Sequence, residues 1–156
     1  MESATFAMGC FWKPQLLFEK INGVQSTTVG YTGGETANPS YEDVCYKNTG
    51  HAEAIEIVFD PTVVSYEDLL AVFWANHNPT TLNAQGPDHG EQYRSAIFTH
   101  SPEQKAAAED AKDALEKAGK WKKPIVTVIA DAETFYPAED YHQDYLAKRG
   151  MDSCGI

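Results

Sequence analysis

Cys10 is the residue of this sequence whose position best suits covalent chemistry. It follows Gly9 and a short apolar stretch at residues 4–8, and it precedes a segment that we predict to be helical to about residue 20. Pro14 indicates that this helix starts close to Cys10, because proline is tolerated in the first turn, where the N–H groups have no partner inside the helix. Those unpaired N–H groups and the helix dipole favour a thiolate. The alternative is that Cys10 packs as a small apolar side chain.

The other candidate reactive groups show no pattern typical of metal binding. Three cysteines, Cys10, Cys45 and Cys154, stand at wide and irregular spacing, which argues against a structural disulfide framework and against a paired zinc site. The five histidines show no ligand spacing, so we interpret them as scattered surface residues. They are His51, His77, His89, His100 and His142. We expect no metal and no cofactor, and a reducing compartment.

Composition limits the class of protein. A chain of 156 residues with 42% hydrophobic residues suits one compact catalytic domain over 1–156. A net charge of −11, from 12 basic and 23 acidic residues, argues against nucleic acid and anionic membranes as partners. The first residues lack the basic and apolar regions of a signal peptide, and no apolar run is long enough to cross a bilayer. We expect a soluble, cytoplasmic monomer.

The hydrophobic pattern predicts strands alternating with helices. Strands are predicted at 4–8, 24–31, 54–59, 94–99 and 125–130. Helices are predicted from within a few residues of Cys10 to about 20, from Ser65 to 77, at 102–118 and at 138–148. Loops at 32–50 and 78–93 are long for so small a domain, which is typical of an active site. We expect residues 150–156 to be a mobile tail. This order favours an α+β fold, a two-layer α/β sandwich with helices packed on a mixed central sheet.

The motif Gly9-Cys10-Phe11-Trp12 resembles the signature of the A-type peptide methionine sulfoxide reductases. The resemblance continues through VGYTGG at 29–34, NPSYEDVC at 38–45, GHAE at 50–53, DHGEQYRS at 88–95 and YPAEDYHQ at 136–143. Several motifs in order along nearly the whole chain are more specific than any one of them. The resemblance implies an enzyme that reduces the S epimer of methionine sulfoxide, in proteins, in peptides and as the free amino acid.

In this family resemblance Cys10 is the nucleophile and Glu53, in the Gly-His-Ala-Glu motif, is the acid. Thiolate attack on the sulfoxide sulfur needs an acid, because an unprotonated oxygen is a very poor leaving group. A glutamate of ordinary pKa is only about 0.2% protonated at pH 7, so this role requires burial among apolar groups. The two groups would then titrate as a coupled pair. Without the motif, Glu53 would be interpreted as a solvent-facing strand residue.

The resemblance also implies residues that bind the substrate. Tyr41 and Tyr93 match tyrosines whose hydroxyl groups donate hydrogen bonds to the sulfoxide oxygen, and Asp88 matches an aspartate that binds a substrate backbone N–H. Phe11 and Trp12 suit an apolar wall for the methyl group on sulfur. Each has an ordinary alternative: packing tyrosines, a turn-capping aspartate, and aromatic side chains that pack the start of a helix.

Turnover would leave Cys10 as a sulfenic acid, which a second thiol can convert to a disulfide. Cys154 lies between Gly150 and Gly155 in the C-terminal tail, in a Cys-Gly-Ile context that resembles a family recycling site. Cys45 is the second candidate, either structural or a secondary resolving thiol. The family resemblance implies regeneration by thioredoxin or a similar dithiol.

Some residues depart from the family pattern, and two other functions stay open. Lys13-Pro14 follows the signature where glycine is usual, Glu91 replaces a common threonine, and Ser153 replaces a tyrosine before the recycling cysteine. These changes affect the pocket rim, peptide preference and recycling. The other functions are a non-catalytic methionine sulfoxide binder and a peroxide-reactive, redox-sensing thiol protein. Turnover of sulfoxide with a thiol reductant, compared with peroxide, distinguishes the three.

Overall fold

A six-stranded mixed sheet forms the centre of the molecule. The computed structural model describes residues 1–47, 49–86 and 88–148. The strands of the sheet run in the order β7-β6-β1-β3-β2-β8, antiparallel except for the parallel pair β6 and β7. They are β1 (Glu2–Met8), β2 (Val24–Thr32), β3 (Ala52–Phe59), β6 (Ser95–Thr99), β7 (Val128–Asp131) and β8 (Tyr136–Pro137). Two further strands, β4 (Ala84–Gln85) and β5 (Asp88–His89), form a separate ribbon. The predicted α+β class with a mixed sheet is confirmed.

The helices cover one face of this sheet. They are α1 (Trp12–Glu19), α2 (Tyr41–Tyr46), α3 (Tyr66–Ala75), α4 (Pro102–Ala118) and α5 (Tyr145–Lys148). Alternate residues of β1 separate the two faces: Phe6 packs with the core under the helices, and Ala7 belongs to a smaller cluster on the other face. That second cluster is rich in alanine and packs against Phe135. Small side chains there let the segment before β8 lie close to the sheet.

Gly9 makes the turn between β1 and α1 possible. Its φ of +95° lies in the region that side chains other than glycine rarely adopt. A Cβ added there would lie 2.6 Å from Cγ of Gln85 in the β4–β5 ribbon. The chain can therefore turn sharply before Cys10 only because this residue is glycine.

Local side-chain and glycine caps fix the ends of two helices. Ser65 accepts a hydrogen bond from the Asp68 N–H at 3.0 Å and donates its own N–H to the Asp68 carboxylate at 3.2 Å, a complete capping box at the start of α3. Ser101 caps α4 through the Gln104 N–H at 3.2 Å, and Gly119 ends it in a left-handed conformation, φ +67°. The bounds of α4 are those predicted, whereas α3 ends two residues earlier than predicted.

The predicted loop at 32–50 contains a helix that the hydrophobic pattern did not show. Helix α2 has six residues and begins with a capping box in which Ser40 and Asp43 exchange two hydrogen bonds of 3.1 Å. Backbone N–H groups of the first turn are satisfied by that exchange, so a short helix is stable within an otherwise irregular segment. Tyr41 and Cys45 therefore both belong to helix α2.

The predicted helix over 138–148 is wrong in its first half. The chain forms β8, then a 3-10 turn at Asp140–His142, and only then the four-residue helix α5. The Gln143 amide bonds to the backbone of β2, accepting from the Val29 N–H at 3.0 Å and donating to the Val29 carbonyl at 2.9 Å. Asp144 follows with a φ of +55°. These long-range bonds to the sheet outweigh helix propensity.

The strand predicted at 125–130 begins three residues later. The Val126 N–H bonds to the carbonyl of Pro79 at 2.8 Å, and Lys112 on α4 donates to the carbonyl of Thr127 at 3.2 Å. Residues 125–127 therefore form hydrogen bonds with segments other than β6, and pairing with β6 begins only after them. Within the described ranges, no helix is both long and apolar enough to cross a membrane.

Candidate active site

Cys10 lies where the sequence predicted a nucleophile, between the end of β1 and the start of α1. Met8 is the last residue of the strand, and Trp12 is the first residue of the helix. Cys10 is half-buried. The thiol is therefore reachable from solvent and lies at the end of α1 where the helix dipole favours negative charge.

Glu53 projects from β3 toward this nucleophile. Its side chain is buried, with 2% exposure, and its Oε1 accepts a hydrogen bond from the backbone N–H of Phe11 at 3.4 Å. Strand β3 pairs with β1, which brings a carboxyl 42 residues away against the Cys10–Phe11 peptide. The solvent-facing alternative for Glu53 is therefore wrong. A buried carboxyl beside a thiol is the arrangement that a proton donor needs.

Gln92, which the sequence analysis did not single out, connects this carboxyl to a second thiol. Its amide Nε2 donates to Glu53 Oε2 at 3.3 Å and lies 3.3 Å from Cys45 Sγ. It is buried, with 8% exposure, at the 3-10 turn Glu91–Tyr93. The signal was present in the sequence, since Gln92 stands inside the motif at 88–95. Cys45 therefore belongs to the same side-chain cluster as Glu53.

Tyr41 and Tyr93 come together from the two long loops. The two phenols and the Cys45 thiol lie close enough to one another to influence the pKa values of both tyrosines. Burial raises the pKa of both phenols, and the nearby charge of Glu53 raises each further. Both hydroxyl groups are therefore protonated at neutral pH and are able to donate hydrogen bonds. The structure brings together the two tyrosines, Glu53 and Cys45.

Asp88 lies next to this group of side chains in β5. It is partly exposed, and its charge contributes to the raised pKa of Tyr93, after burial and Glu53. The β4–β5 ribbon also contacts Gly9 through Gln85. Asp88 thus has the access to solvent that contact with a substrate backbone requires.

Phe11 and Trp12 differ in how far they are buried. Phe11 is 2% exposed and packs against Tyr31 and His142, with ring centroids 5.8 and 5.2 Å away. Trp12 is half-buried; its ring stacks on Tyr145 at 3.7 Å with an interplanar angle of 7°. Trp12 therefore offers the more accessible aromatic surface, while Phe11 is mainly part of the core.

Glu139, which follows β8, is hydrogen-bonded to residues of β2 and α2. Its Oε1 accepts from the Tyr31 hydroxyl and its Oε2 from the Tyr41 N–H, both at 3.1 Å. Burial acts to raise the pKa of Glu139, but hydrogen bonds from the backbone and from Tyr31 outweigh it and lower the pKa. An ionised Glu139 therefore holds the start of α2, and with it Tyr41, in place.

The interpretation of the histidines as surface residues is wrong for at least two of them. His51 and His142 are each 1% exposed. Burial lowers the pKa of His77 to about 4. Within the described part of the chain, no group of three or more histidine, cysteine or acidic side chains is placed to hold a metal ion. Cys154 and Ser153 lie outside the described residues.

Comparison with known proteins identifies the family. The family model for peptide methionine sulfoxide reductase matches residues 2–156. The chain belongs to this family. It is 58% identical over 153 residues to the peptide methionine sulfoxide reductase MsrA of Methanothermobacter thermautotrophicus, covering 98% of this chain and 90% of the relative. The protein is therefore an oxidoreductase that reduces methionine sulfoxide, as its motifs predicted.

Solved structures agree with this assignment. Reduced Mxr1 from Saccharomyces cerevisiae is similar with a TM-score of 0.86 and 38% identity, covering 96% of this chain and 86% of that one. Mxr1 in complex with Trx2, from the same yeast, is similar with a TM-score of 0.61 and 28% identity, covering 92% of this chain and 84% of that one. The predicted fold and family are confirmed.

Proposed function

We propose that Cys10 reduces methionine S-sulfoxide by attack of its thiolate on the sulfoxide sulfur, with Glu53 as the proton donor. The observation that carries this assignment is the hydrogen bond from the Phe11 N–H to Glu53, at 3.4 Å, which holds the carboxyl against the peptide of the nucleophile. Burial of Glu53 at 2% exposure supports a neutral acid in the reactive state.

In net terms, the reaction transfers an oxygen atom from the sulfur of methionine sulfoxide to the sulfur of Cys10. The thiolate of Cys10 attacks the sulfur and forms a sulfur–sulfur bond, and the sulfoxide oxygen takes a proton from Glu53. The sulfur–oxygen bond then breaks and hydroxide leaves. Hydroxide adds to the Cys10 sulfur as the sulfur–sulfur bond breaks and methionine departs. The oxygen ends on Cys10 as a sulfenic acid, so Cys10 loses two electrons and methionine sulfur gains two. The proton from the original Cys10 thiol restores Glu53.

Three further groups bind the substrate. The hydroxyl groups of Tyr41 and Tyr93 donate to the sulfoxide oxygen, which is consistent with their raised pKa values. Trp12, backed by Phe11, contacts the methyl group. Asp88, partly exposed, accepts a backbone N–H of the substrate, which allows action on residues within peptides and proteins as well as on the free amino acid.

Recycling uses a second thiol and an external dithiol. Cys154 condenses with the sulfenic acid of Cys10 to form a disulfide and release water, and a thioredoxin or similar dithiol reduces that disulfide. The solved complex of Mxr1 with Trx2 supports such a partner for this chain. Cys45 is a secondary thiol within the same cluster as Glu53. We assign this whole chemistry to one domain over 1–156, acting as a monomer in the cytoplasm.

Turnover of the separated R and S epimers of methionine sulfoxide tests the function. With dithiothreitol, the parent protein should reduce the S epimer over many cycles and leave the R epimer. Cys154→Ser should release about one methionine per protein molecule and then stop cycling with thioredoxin. Continued cycling at the parent rate would assign recycling to Cys45 or to direct reduction, and faster reaction with peroxide than with sulfoxide would contradict the proposed function.

A further inference from the structure

Gln85 lies between the turn that carries the nucleophile and the residue that contacts the substrate backbone. We propose that Gln85 is a positioning residue: it holds Asp88 in a fixed place relative to Cys10, so that the site binds the backbone and the sulfoxide group of one methionine sulfoxide residue together. This inference rests on the proposed function, in which Cys10 attacks the sulfur and Asp88 accepts a backbone N–H. The role comes from the structure, since the sequence analysis did not single out Gln85.

Two methylene groups of Gln85 pack against the turn that carries Cys10. A Cβ added to Gly9 would lie 2.6 Å from Cγ and 2.7 Å from Cβ of Gln85. Carbon atoms that are not bonded to each other prefer separations of about 3.5–4.0 Å, so Gln85 occupies the space that a side chain at position 9 would need. Gln85 therefore packs directly on the residue that precedes the nucleophile.

Gln85 is also the partner of Asp88 in the β4–β5 ribbon. The two residues pair directly, and each strand of the ribbon has only two residues. Residues opposite each other in an antiparallel pair have Cα atoms about 4.5–5.5 Å apart, so a displacement of Gln85 displaces Asp88 with it. A two-stranded ribbon is at best marginally stable in isolation, so its position depends on bonds to the rest of the molecule.

The side-chain amide of Gln85 supplies two such bonds, both to the backbone of Asn78. Its Oε1 accepts from the Asn78 N–H at 2.8 Å, and its Nε2 donates to the Asn78 carbonyl at 2.7 Å. Asn78 directly follows His77, whose ring nitrogens lie 2.7 Å from the Phe73 carbonyl and from Ser95 Oγ. The Gln85 amide therefore connects the ribbon to α3 and β6, and the directionality of its two bonds fixes its orientation.

Binding a substrate at two points depends on the distance between them. A misplacement of about 1 Å can cost about 10²-fold in rate. Asp88 is partly exposed and lies on the ribbon, whereas Cys10 follows the central strand β1. Gln85 contacts both parts of the site, since it packs on Gly9 and pairs with Asp88. Its amide bonds therefore determine where a substrate backbone is held relative to the sulfur that Cys10 attacks.

Two sulfoxides that differ only in the backbone test this role. N-acetylmethionine S-sulfoxide methylamide has a backbone N–H, whereas the S enantiomer of ethyl methyl sulfoxide is the same side chain without a backbone. The measurement is the ratio of kcat/KM for the first to kcat/KM for the second, with dithiothreitol as the reductant. Gln85→Met keeps the length of the side chain but makes neither amide bond. It should lower this ratio about 10-fold, slightly less than the roughly 12- to 150-fold cost of losing a hydrogen bond to a charged group completely.

The effect should be on binding and should depend on Asp88. In Gln85→Met, KM for the acetylated substrate should rise with kcat nearly unchanged, and ethyl methyl sulfoxide should react as it does with the parent. Asp88→Ala should lower the ratio by itself. Adding Gln85→Met to Asp88→Ala should lower it by less than about a further twofold, because the group that Gln85 positions is then absent.

Gln104→Met is the matched control. The Gln104 amide also accepts from a backbone N–H, that of His100 at 3.0 Å, and donates to a carbonyl, that of Ser3 at 2.7 Å. Ser3 lies at the start of β1, at the opposite end of the strand from Cys10, so the ratio should keep its parent value. Gln85→Ala, which also loses the packing on Gly9, is a second variant and should lower the ratio at least as far as Gln85→Met. Thermal unfolding of each variant establishes that the measurements are made on folded protein.

Several results would overturn the inference while leaving the proposed function intact. One is a ratio in Gln85→Met or in Asp88→Ala that stays within about twofold of the parent value. Another is an equal fall for both sulfoxides in Gln85→Met, which would mean that Gln85 supports the nucleophile or the fold instead of Asp88. A full additional fall when the two substitutions are combined would also overturn it. A parent protein that reduces neither sulfoxide would instead contradict the proposed function.

Discussion

Two partly buried polar clusters, one on each side of β1, differ in the lengths of the hydrogen bonds at their centres. The site cluster consists of Tyr41, Cys45, Glu53, Gln92 and Tyr93, and the scaffold cluster of His77, Ser95, Lys112 and Thr127. In the scaffold cluster, Ser95 Oγ lies 2.7 Å from both His77 Nε2 and Thr127 Oγ1, and His77 Nδ1 lies 2.7 Å from the Phe73 carbonyl. In the site cluster, the bonds from Phe11 and Gln92 to Glu53 are 3.4 and 3.3 Å long.

The difference in hydrogen-bond length accompanies a difference in the chemical groups that the two clusters contain. Short bonds between neutral groups stabilise α3 against β6 and leave the ring nitrogens of His77 fully occupied. The site cluster instead joins a carboxyl, a thiol, an amide and two phenols, which include groups able to donate or accept a proton. The comparison shows that burial alone does not distinguish the two clusters, whereas the chemical groups that each brings together do.

The largest expected effect is that of Glu53→Gln. Without the proton donor, kcat/KM for methionine sulfoxide should fall about 10²- to 10⁴-fold, the usual contribution of general acid catalysis. Glu56→Gln, on the same strand, is the matched control and should stay close to the parent. Melting temperatures should show that neither protein is unfolded. A loss of less than about threefold in Glu53→Gln would remove Glu53 from the mechanism.

Acid should destabilise the scaffold cluster. The pKa of His77 is lowered to about 4 in the folded protein, against about 6.5 in the unfolded chain. The unfolded state therefore binds more protons between these values, and the stability that depends on neutral His77 is complete above pH 6.5 and is lost as pH falls to about 4. The loss should be about 3 kcal/mol.

Urea unfolding from pH 7 to pH 4 measures this loss of stability. His77→Gln should show a shallower fall in unfolding free energy than the parent over that window, since its amide does not titrate. Equal pH dependence of the two proteins would contradict the assignment of the acid effect to His77.

Removing either hydroxyl of the tyrosine pair should have a moderate effect. Tyr41→Phe and Tyr93→Phe should each lower kcat/KM about 10-fold, which corresponds to one hydrogen bond to the sulfoxide oxygen. Tyr66→Phe is the control, because its buried hydroxyl has no hydrogen-bond partner within the described residues, and it should keep full activity. Parent-like kcat/KM in both site variants would identify the tyrosines as packing residues only.

The smallest effect is expected for Cys45→Ser. A serine hydroxyl can still accept from Gln92 and bond to Tyr41, so kcat/KM should change less than about threefold and cycling with thioredoxin should continue. Loss of cycling in this variant, with the first turnover intact, would show that Cys45 is the resolving thiol.

The sequence predicted those elements whose ends are fixed by local chemistry. Helix α4 has a serine cap, a proline in its first turn and a closing glycine, and its bounds were predicted correctly. The segment at 138–148 carries an equally helical pattern, but the Gln143 amide bonds to the backbone of β2, which lies far away in sequence. Helix propensity depends on the residue and its near neighbours, so it takes no account of a hydrogen-bond partner that is distant in sequence.

From the sequence, only those site residues to which a family motif assigns a role were predicted. Glu53 bonds to the N–H of the peptide between Cys10 and Phe11, although nothing in the spacing of 43 positions between Cys10 and Glu53 indicated it. Gln92 and His142 stood inside recognised motifs but were assigned no role, because their bonds are made to residues on distant elements. Burial of histidines was likewise not apparent, since it depends on tertiary packing.

The sheet ends on each side in a very short strand. Strand β7 has four residues and β8 has two, while the long strands β1, β2 and β3 have both neighbours in the interior of the sheet. Long open edges are templates on which other chains assemble into aggregates. A protein whose outermost strands are this short, and whose net charge of −11 repels its own copies, should remain dispersed at high concentration.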